Sequence, residues 1–486
     1  MYLSAELVGF RPLPEALQQP LLAILPGPVF GFLIDNLQHL GKVLEEAGLV
    51  LGMLAVLVAL GALFGWLQER LPGRWSAAAI STGAWLLVVA VLLPLGGEGP
   101  LGLSEGLATP VAWAVLLLLY GVLLQLVFNR TATPLPSGEG RVEGTGEVDA
   151  GRRRVLALLP WGMGAAGLLL AGGRLMPGWY RDVFAPPELT AGGPTPELTP
   201  AHNFYIVSKN FDDPVVRADG WTLTIDGLVE SRRRLDYREL RALEPASEIV
   251  TLACISNNVG GPLISTGRFT GVRLQQLLRE AAAKPRANTV VFRARDGFTE
   301  SLPLRAVLES PEILVAWDLN DAPLSSRHGF PARVLIPGRY GMKQPKWLQQ
   351  IELSETDPGG YWEGQGWDRD AIVNTTSRFD TPRDGFILRR GAIDLAGIAF
   401  AGSRGISAVE ISSDGGQSWF PATLRAPLSP FAWVAWRATW SPEKEGAYTL
   451  SVRARDGAGA LQSVDMRPSF PSGSTGLHSI RVNVAR

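Results

Sequence analysis

The stretch TLACISNNVGG occupies residues Thr251–Gly261 of the 486-residue chain. A short apolar run, Ile249–Leu252, predicts a β-strand, and the Asn and Gly residues that follow are typical of a loop. Between strand and loop lies Cys254, the only cysteine in the sequence. A single thiol excludes an internal disulfide and any zinc or iron–sulfur centre that needs several cysteines. Cys254 is therefore either a metal ligand of another kind or a small buried side chain.

On both sides of this stretch, short apolar runs alternate with turn residues. Leu223–Ile225 and Val290–Ala294 predict strands, and Ile313–Leu319 predicts one arm of a hairpin. Leu274–Ala283 predicts a helix, because its leucines recur at helical spacing on one face. Strands and helices interleave irregularly, so we expect an α+β domain rather than a doubly wound sheet.

The C-terminal region, from Trp367 onward, predicts a different fold. Short strands such as Val409–Ser412, Trp433–Trp440 and Tyr448–Arg455 follow one another at regular spacing, separated by Gly and Asp turns. This pattern is typical of an all-β, Ig-like sandwich. We expect the tryptophans of this region to lie in the sandwich core.

The N-terminal region is dominated by apolar segments of the length that spans a bilayer, about 20 helical residues. Lys and Arg are concentrated in alternate loops, so the positive-inside rule places the C-terminal half outside the cytoplasm. None of the segments contains a histidine, so an anchor is favoured over a haem-binding bundle, although another axial ligand is conceivable. The four predicted transmembrane helices are Ala47–Leu67, Ser76–Leu95, Ala108–Phe128 and Val155–Gly173.

Four segments of the central region, in this order, resemble the molybdopterin-binding domain of the sulfite oxidase superfamily. They are HNFYIVSKN (His202–Asn210), TLACISNNVGG with the following TGVRLQQLL (Thr270–Leu278), VAWDLNDAPL (Val315–Leu324) and HGFPARVLIPGRYGMKQPKWL (His328–Leu348). The strings SRFDTP (Ser377–Pro382) and VEISSDGGQSW resemble the Ig-like dimerisation domain that follows it in that family, which leaves a homodimer open. The predicted organisation is a membrane anchor over 1–175, a Pro-rich linker over 176–200, a catalytic domain over 201–362 and a sandwich over 363–486.

This resemblance implies a molybdenum–molybdopterin cofactor, with Cys254 as the protein's ligand to the metal. A soft thiolate suits such a metal. Four basic residues between 333 and 346, interrupted by glycines, suit a cradle for the pterin phosphate, although a solvated basic loop is the alternative. The implied catalytic residues are Cys254, Lys209 and Asn257, and the implied cofactor contacts are Asn203, Tyr205, His328, Arg333, Arg339, Gly341, Lys343 and Lys346.

The sequence departs from the sulfite-oxidising members next to the cysteine. Those members resemble C-x-x-N-R-R, whereas Asn258 and Val259 occupy the two arginine positions here, and Lys209 stands where they carry another arginine. A dianionic substrate needs several charge-assisted bonds. An S-oxide or similar substrate is therefore favoured over sulfite, with a true sulfite dehydrogenase and a non-catalytic binding module as the alternatives.

The sequence contains no haem, flavin or iron–sulfur motif, so electrons are expected to reach an external carrier such as a cytochrome or a quinol-linked protein. A formal net charge of −1 provides no excess of positive charge for binding nucleic acid. We expect a multi-pass protein of a bacterial cell membrane with its catalytic domain on the extracytoplasmic side. Arg152–Arg154, just before the fourth apolar segment, resembles an internal twin-arginine signal or is ordinary positive-inside charge.

Overall fold

The structure, a computed structural model, describes residues 52, 55–56, 58–64, 73–95, 108–131, 193–210 and 213–486. The chain divides into two compact units. The described residues up to Thr131 belong to the first unit, and those from Gly193 onward belong to the second. The predicted span Val155–Gly173 and the basic run Arg152–Arg154 lie outside the described residues, as does most of the predicted span Ala47–Leu67.

Two long helices make up most of the described part of the first unit, which also includes helical residues between 52 and 64. Helix α1 covers Gly73–Leu87 and continues through a π-helical turn, Val88–Leu92, to Leu95, and helix α2 covers Ala108–Thr131. They pack on each other, and the Ser81 hydroxyl donates a hydrogen bond to the carbonyl of Leu117 at 3.0 Å. Among the described residues, one helical stretch, Thr109–Leu126, has the length and apolar composition needed to cross a membrane.

The N-terminal part of the second unit is an α+β domain, as predicted. Its helix α4 begins at Leu274, and its leucines are buried against the strands. The helix ends at Ala281, before the predicted end at Ala283, because Ala282 adopts a left-handed backbone with φ 56°. The elements are β1 (Thr222–Gly227), β2 (Arg233–Asp236), α3 (Tyr237–Ala242), β3 (Ala246–Ala253), β4 (Ile264–Arg273), α4 (Leu274–Ala281), β5 (Thr289–Ala294), β6 (Thr299–Pro303), α5 (Leu304–Glu309), β7 (Leu314–Leu319), β8 (Ala322–Pro323), β9 (Arg333–Leu335) and β10 (Leu348–Ser354).

These strands form two sheets. The first has the order β2-β1-β10-β5-β6, in which only β1 and β10 are parallel. The second has the order β3-β4-β7-β8, and β9 also pairs with β7. The largest core cluster joins the first sheet to α4 and to residues of β4, β7 and β9, so it fixes the two sheets relative to each other.

The C-terminal part of the second unit is a two-sheet β-sandwich, which confirms the predicted all-β class. One sheet has the order β11-β13-β17-β16 and the other β12-β19-β18-β14-β15. The core between them includes Trp436 and Trp440, as expected, whereas Trp367 and Trp433 lie in a different buried cluster and Trp419 is only half-buried. The strands are β11 (Thr376–Thr381), β12 (Ile387–Arg389), β13 (Ile393–Phe400), β14 (Ile406–Ser412), β15 (Phe420–Pro421), β16 (Thr423–Leu424), β17 (Val434–Trp440), β18 (Gly446–Asp456) and β19 (His478–Ala485).

The sandwich packs directly against the strand that leads to Cys254. The backbone N–H of Thr251 in β3 donates to the carbonyl of Phe431 at 2.9 Å, and the Thr251 hydroxyl accepts from the N–H of Trp433 at 2.8 Å. Ala253 and Ile255, on either side of the cysteine, share a buried cluster with Trp433 and other sandwich residues. The cysteine therefore lies where the two domains of this unit meet.

Candidate active site

Cys254 is the first residue after strand β3, and its backbone is held on both sides. Its N–H donates to the carbonyl of Leu263 at 2.9 Å, and its own carbonyl accepts from the N–H of Asn257 at 3.1 Å. The side chain is 8% exposed, with Sγ 3.0 Å from the hydroxyl of Ser256. Burial raises the pKa of the thiol, and the hydrogen bond from Ser256 opposes that shift. A bound metal would displace the proton and supply the charge that stabilises the thiolate.

Asn257, predicted as a catalytic residue, shapes the loop after the cysteine. Its side-chain oxygen accepts a hydrogen bond from the N–H of Leu263 at 2.9 Å. The N–H of Gly261 donates to the carbonyl of Asn258 at 2.8 Å inside the same loop. These bonds close residues 254–263 into one compact loop, so the position of the thiol depends on the whole loop.

Tyr205 lies close enough to interact with the cysteine, and Arg333 interacts with Tyr205. Burial raises the pKa of the Tyr205 phenol, charge on Cys254 raises it further, and Arg333 lowers it. The Tyr205 hydroxyl also lies against Gly341, where an added Cβ would be 2.8 Å from the oxygen. A side chain at Gly341 would displace the phenol, and glycine therefore permits the close approach.

Arg333 in β9 is a buried cation whose guanidinium is incompletely satisfied. It donates to the carbonyls of His328 at 3.2 Å and Gln344 at 3.5 Å, while its Nε has no hydrogen-bond partner in the described part of the chain. Burial lowers the pKa of the guanidinium to about 10. A buried, charged group with an unpaired donor is costly unless it meets an anion. This side chain fits an anionic group such as the pterin phosphate.

His328 and Lys346 lie beside Arg333. The Nε2 of His328 is 3.2 Å from the carbonyl of Ala201, in the turn that ends at Asn203. Burial, followed by the charge of Arg333, lowers the pKa of His328 to about 4, so its imidazole is neutral at pH 7. Lys346 donates to the carbonyl of Arg327 at 3.1 Å. Three predicted cofactor contacts, His328, Arg333 and Lys346, therefore come together at one place.

The remaining predicted cations are held by carboxylates instead. The ammonium of Lys343 is buried and bonds to both Glu300 and Glu363. Arg339 lies 3.7 Å from the carboxylate of Asp370. The basic cluster predicted over residues 333–346 is thus divided in the structure: Arg333 and Lys346 lie by His328, whereas Lys343 and Arg339 have acidic partners.

Lys209, predicted as a catalytic residue, is paired with Asp296. Its ammonium lies 3.6 Å from the Asp296 carboxylate and donates to the carbonyl of the same residue at 2.8 Å. Both side chains are almost completely buried. The acidic partners Glu300, Glu363 and Asp296 were not predicted as site residues, because each lies far along the chain from the lysine it binds.

The comparison with known families agrees with this geometry. Residues 210–362 match the oxidoreductase molybdopterin binding domain, and residues 371–472 match the Mo-co oxidoreductase dimerisation domain. The chain carries a sulfite oxidase-type molybdopterin oxidoreductase domain followed by a Mo-co dimerisation domain. The predictions of an oxidoreductase of this type and of a molybdenum–molybdopterin cofactor are confirmed.

Curated relatives resemble part of the chain. Mitochondrial sulfite oxidase of Drosophila melanogaster is 27% identical over 288 residues, which are 49% of this chain and 50% of that protein. Nitrate reductase [NADPH] of Mycosarcoma maydis is 28% identical over 307 residues, 47% of this chain and 30% of that protein. The chain thus spans half or less of the length of these two relatives.

Among solved structures, the sulfane dehydrogenase SoxCD from Paracoccus pantotrophus has a similar fold. The TM-score is 0.52 at 19% sequence identity, with 62% of this chain and 86% of that chain covered. At this identity the likeness establishes the fold alone.

Proposed function

We propose that the chain transfers an oxygen atom to or from a small substrate in a molybdenum-dependent, two-electron reaction. The observation that carries the proposal is the buried Cys254 thiol, which the loop 254–263 holds near Tyr205, whose phenol in turn interacts with the buried Arg333. When bound, molybdenum–molybdopterin supplies the two-electron redox centre and the site of oxygen exchange.

Different residues of the chain would hold different parts of this cofactor. Cys254 would bind the metal as a thiolate, and the unpaired Nε of Arg333 would meet the pterin phosphate, supported by Lys346. Neutral His328 would contribute a hydrogen bond without adding charge, and Asn203 ends the turn whose Ala201 carbonyl lies 3.2 Å from the His328 ring. Gly341 would allow close backbone approach. Lys343 and Arg339 would contribute through the ion pairs that they form with Glu300, Glu363 and Asp370, rather than by direct contact with the cofactor.

An S-oxide or a similar substrate is favoured over sulfite as the substrate class. The positions after the cysteine carry Asn258 and Val259, and the carboxylate of Asp296 offsets the charge of Lys209. A dianionic substrate would therefore meet fewer uncompensated cations here than the sulfite-oxidising pattern C-x-x-N-R-R would supply. Reduction of a sulfoxide instead consumes two electrons and two protons and releases a sulfide and water.

The electrons would come from an external carrier, such as a cytochrome or a quinol-linked protein. We also propose that the N-terminal region anchors the chain in a bacterial cell membrane, with the catalytic domain on the extracytoplasmic side. Support comes from α2, whose outward side chains include Leu118, Leu119, Val122 and Leu123, each more than half exposed. The dimerisation domain supports a homodimer.

Metal analysis and an activity screen test the enzymatic proposal. The purified full chain is expected to contain molybdenum and pterin, and to turn over S-oxides faster than sulfite with an artificial electron carrier. Cys254→Ala should abolish turnover while the thermal melt stays near that of the wild type. A chain without molybdenum, or an active alanine variant, would refute the proposal.

Protease accessibility tests the topology. In right-side-out spheroplasts, external protease should cut the predicted linker N-terminal to Gly193 and release the second unit, because Thr195 and Thr199 are bonded to that unit. Protection of that linker until the membrane is permeabilised would contradict the extracytoplasmic placement.

A further inference from the structure

The loop that carries Cys254 is bound from outside by three side chains of the sandwich. Arg378 of β11 donates from Nη1 to the carbonyl of Gly261 at 2.7 Å. The hydroxyl of Ser474 donates to the carbonyl of Asn257 at 2.6 Å. The ring of His478 lies against Gly260 so closely that a Cβ at this glycine would overlap it. The sandwich, which does not itself carry the cysteine, therefore contacts the loop at Asn257, Gly260 and Gly261.

Arg378 is itself held rigidly. Its Nε lies 3.0 Å from the carboxylate of Asp380, and the two side chains are 6% and 3% exposed. Its Nη2 donates to the hydroxyl of Thr195 at 3.1 Å, and the backbone N–H of Thr195 donates to Asp380 at 3.1 Å. A buried guanidinium that is bonded through all three of its nitrogens has little freedom, so the carbonyl of Gly261 meets a fixed charge-assisted donor.

The loop transmits this constraint to the cysteine. The side chain of Asn257 binds the N–H of Leu263, and the carbonyl of Leu263 binds the N–H of Cys254. Asn257 also donates from its own N–H to the carbonyl of Cys254. A displacement at Gly261 must therefore move or break the bonds that set the backbone of the cysteine.

We propose that Arg378 is a positioning residue. Together with Ser474 and His478, it ties the loop 254–263 to the sandwich and so fixes the direction of the Cys254 thiol. This inference rests on the proposed role of Cys254 as the metal ligand. It gives the sandwich a part in the metal site, in addition to any part in dimerisation. Removal of Arg378 should loosen the loop and change the thiol environment even where the domains remain folded.

The chain offers a matched control. Arg404, also in the sandwich, pairs through Nε with Asp456 at 3.0 Å and donates through Nη2 to the carbonyl of Val373 and the hydroxyl of Thr375. Its contacts are of the same kind as those of Arg378, with a side chain that is 34% exposed against 6% for Arg378, and none of these partners belongs to the cysteine loop. Each pair is replaced together, as Arg378→Gln with Asp380→Asn and as Arg404→Gln with Asp456→Asn, so that no buried charge is left unpaired.

The test uses the fact that Cys254 is the only cysteine in the chain. Full-length protein, prepared in a host that cannot make molybdopterin, is labelled with iodoacetamide under native conditions. We expect the Arg378 pair variant to be labelled about tenfold faster than the wild type, because the lost charge-assisted bond favours local opening of the loop. The Arg404 pair variant should stay within about twofold of the wild type. Equal rates in the two variants, or a wild-type rate in the Arg378 variant, would overturn the proposal.

Two further measurements keep the test decisive. If the double variant does not fold, Arg378→Lys keeps the charge beside Asp380 but shortens the donor, and faster labelling than the wild type is again required. In cofactor-loaded protein, the Mo(V) electron paramagnetic resonance spectrum should change in the Arg378 variant and not in the Arg404 variant; an unchanged spectrum counts against the proposal. Failure of the proposed function would instead appear as a chain without molybdenum, whereas the labelling result needs no metal.

Discussion

The imidazole of His478 covers Gly260, and it is oriented by the N–H of Phe379, which donates to its Nδ1 at 3.0 Å. Gly260 has a φ of 76°, a left-handed conformation that disfavours any residue with a side chain. Backbone conformation and contact with the sandwich thus both require glycine at this position of the cysteine loop. The two requirements can be separated experimentally.

Gly260→Ala is expected to destabilise the second unit more than Gly220→Ala does. Gly220 has a similar φ of 85°, but an added Cβ would meet nothing within 4 Å. Replacing Gly220 should therefore lower the free energy of unfolding only by the cost of placing alanine in a left-handed conformation, about 1–2 kcal/mol. At Gly260 the overlap with His478 adds a further 1–3 kcal/mol, roughly the cost of overpacking a core. Thermal melts of the two variants measure the difference. Equal losses of stability would mean that the His478 ring moves aside at no cost in free energy.

The sequence predicted local elements well and long-range pairs poorly. Strands β1, β3, β5 and β7 occur where short apolar runs predicted them, and helix α4 begins where helical spacing predicted it. Both patterns are properties of residues that are neighbours in the sequence. Cys254 was recognised because its flanking stretch is itself a motif. The bond between Arg378 and Gly261 joins residues 117 positions apart, and the one between Lys343 and Glu300 joins residues 43 apart. No local pattern predicts which residues the fold brings together over such separations.

Arg333 and Lys343 were both predicted as cofactor contacts, and the structure predicts different consequences for their loss. Arg333→Gln removes a buried cation with an unpaired donor, so the pterin and molybdenum content after gel filtration should fall at least tenfold, about 1.4 kcal/mol or more of binding free energy. Lys343→Gln removes the shared partner of Glu300 and Glu363. It should mainly lower stability, by about 3–5 kcal/mol, as expected when one member of a buried ion pair is lost.

Cofactor content and melting temperature, measured on the same samples, separate these two outcomes. Arg293→Gln serves as the control, because this arginine bonds to Glu352 at a half-exposed position of β5 and should change neither quantity much. If Lys343→Gln lost the cofactor while its melt stayed at the wild-type value, Lys343 would be a direct cofactor contact, contrary to this prediction.

Glu300 should make the folded protein less stable as the pH rises through neutrality. Burial raises the pKa of its carboxyl to about 7, despite the attraction of Lys343. The folded state therefore holds this proton more tightly than the unfolded state, whose carboxyl titrates near 4.5. The stabilisation is complete below about pH 4.5 and is lost as the pH rises to about 7.

Glu300→Gln removes this titration. The stability of the variant relative to the wild type should therefore increase between pH 5 and pH 8, by an amount of the order of 2–3 kcal/mol. Urea unfolding of both proteins across that range measures the change. A difference that does not vary with pH would show that Glu300 is already ionised when folded.

Asp296 should control how the site treats anionic substrates. Its carboxylate lies 3.6 Å from the ammonium of Lys209 and offsets that charge. Asp296→Asn keeps the hydrogen-bonding shape but removes one negative charge beside the lysine, so the attraction for a dianion in this almost completely buried site should increase. The expected result is a several-fold lower KM for sulfite, with little change in the KM for a neutral sulfoxide. Asp318→Asn, which breaks the pair with Arg241 on the surface, is the control and should alter neither KM. Steady-state kinetics with both substrates and one artificial electron carrier measure these KM values. If the KM for sulfite stayed at the wild-type value while the KM for the sulfoxide rose, Asp296 would act on the shape of the site rather than on its charge.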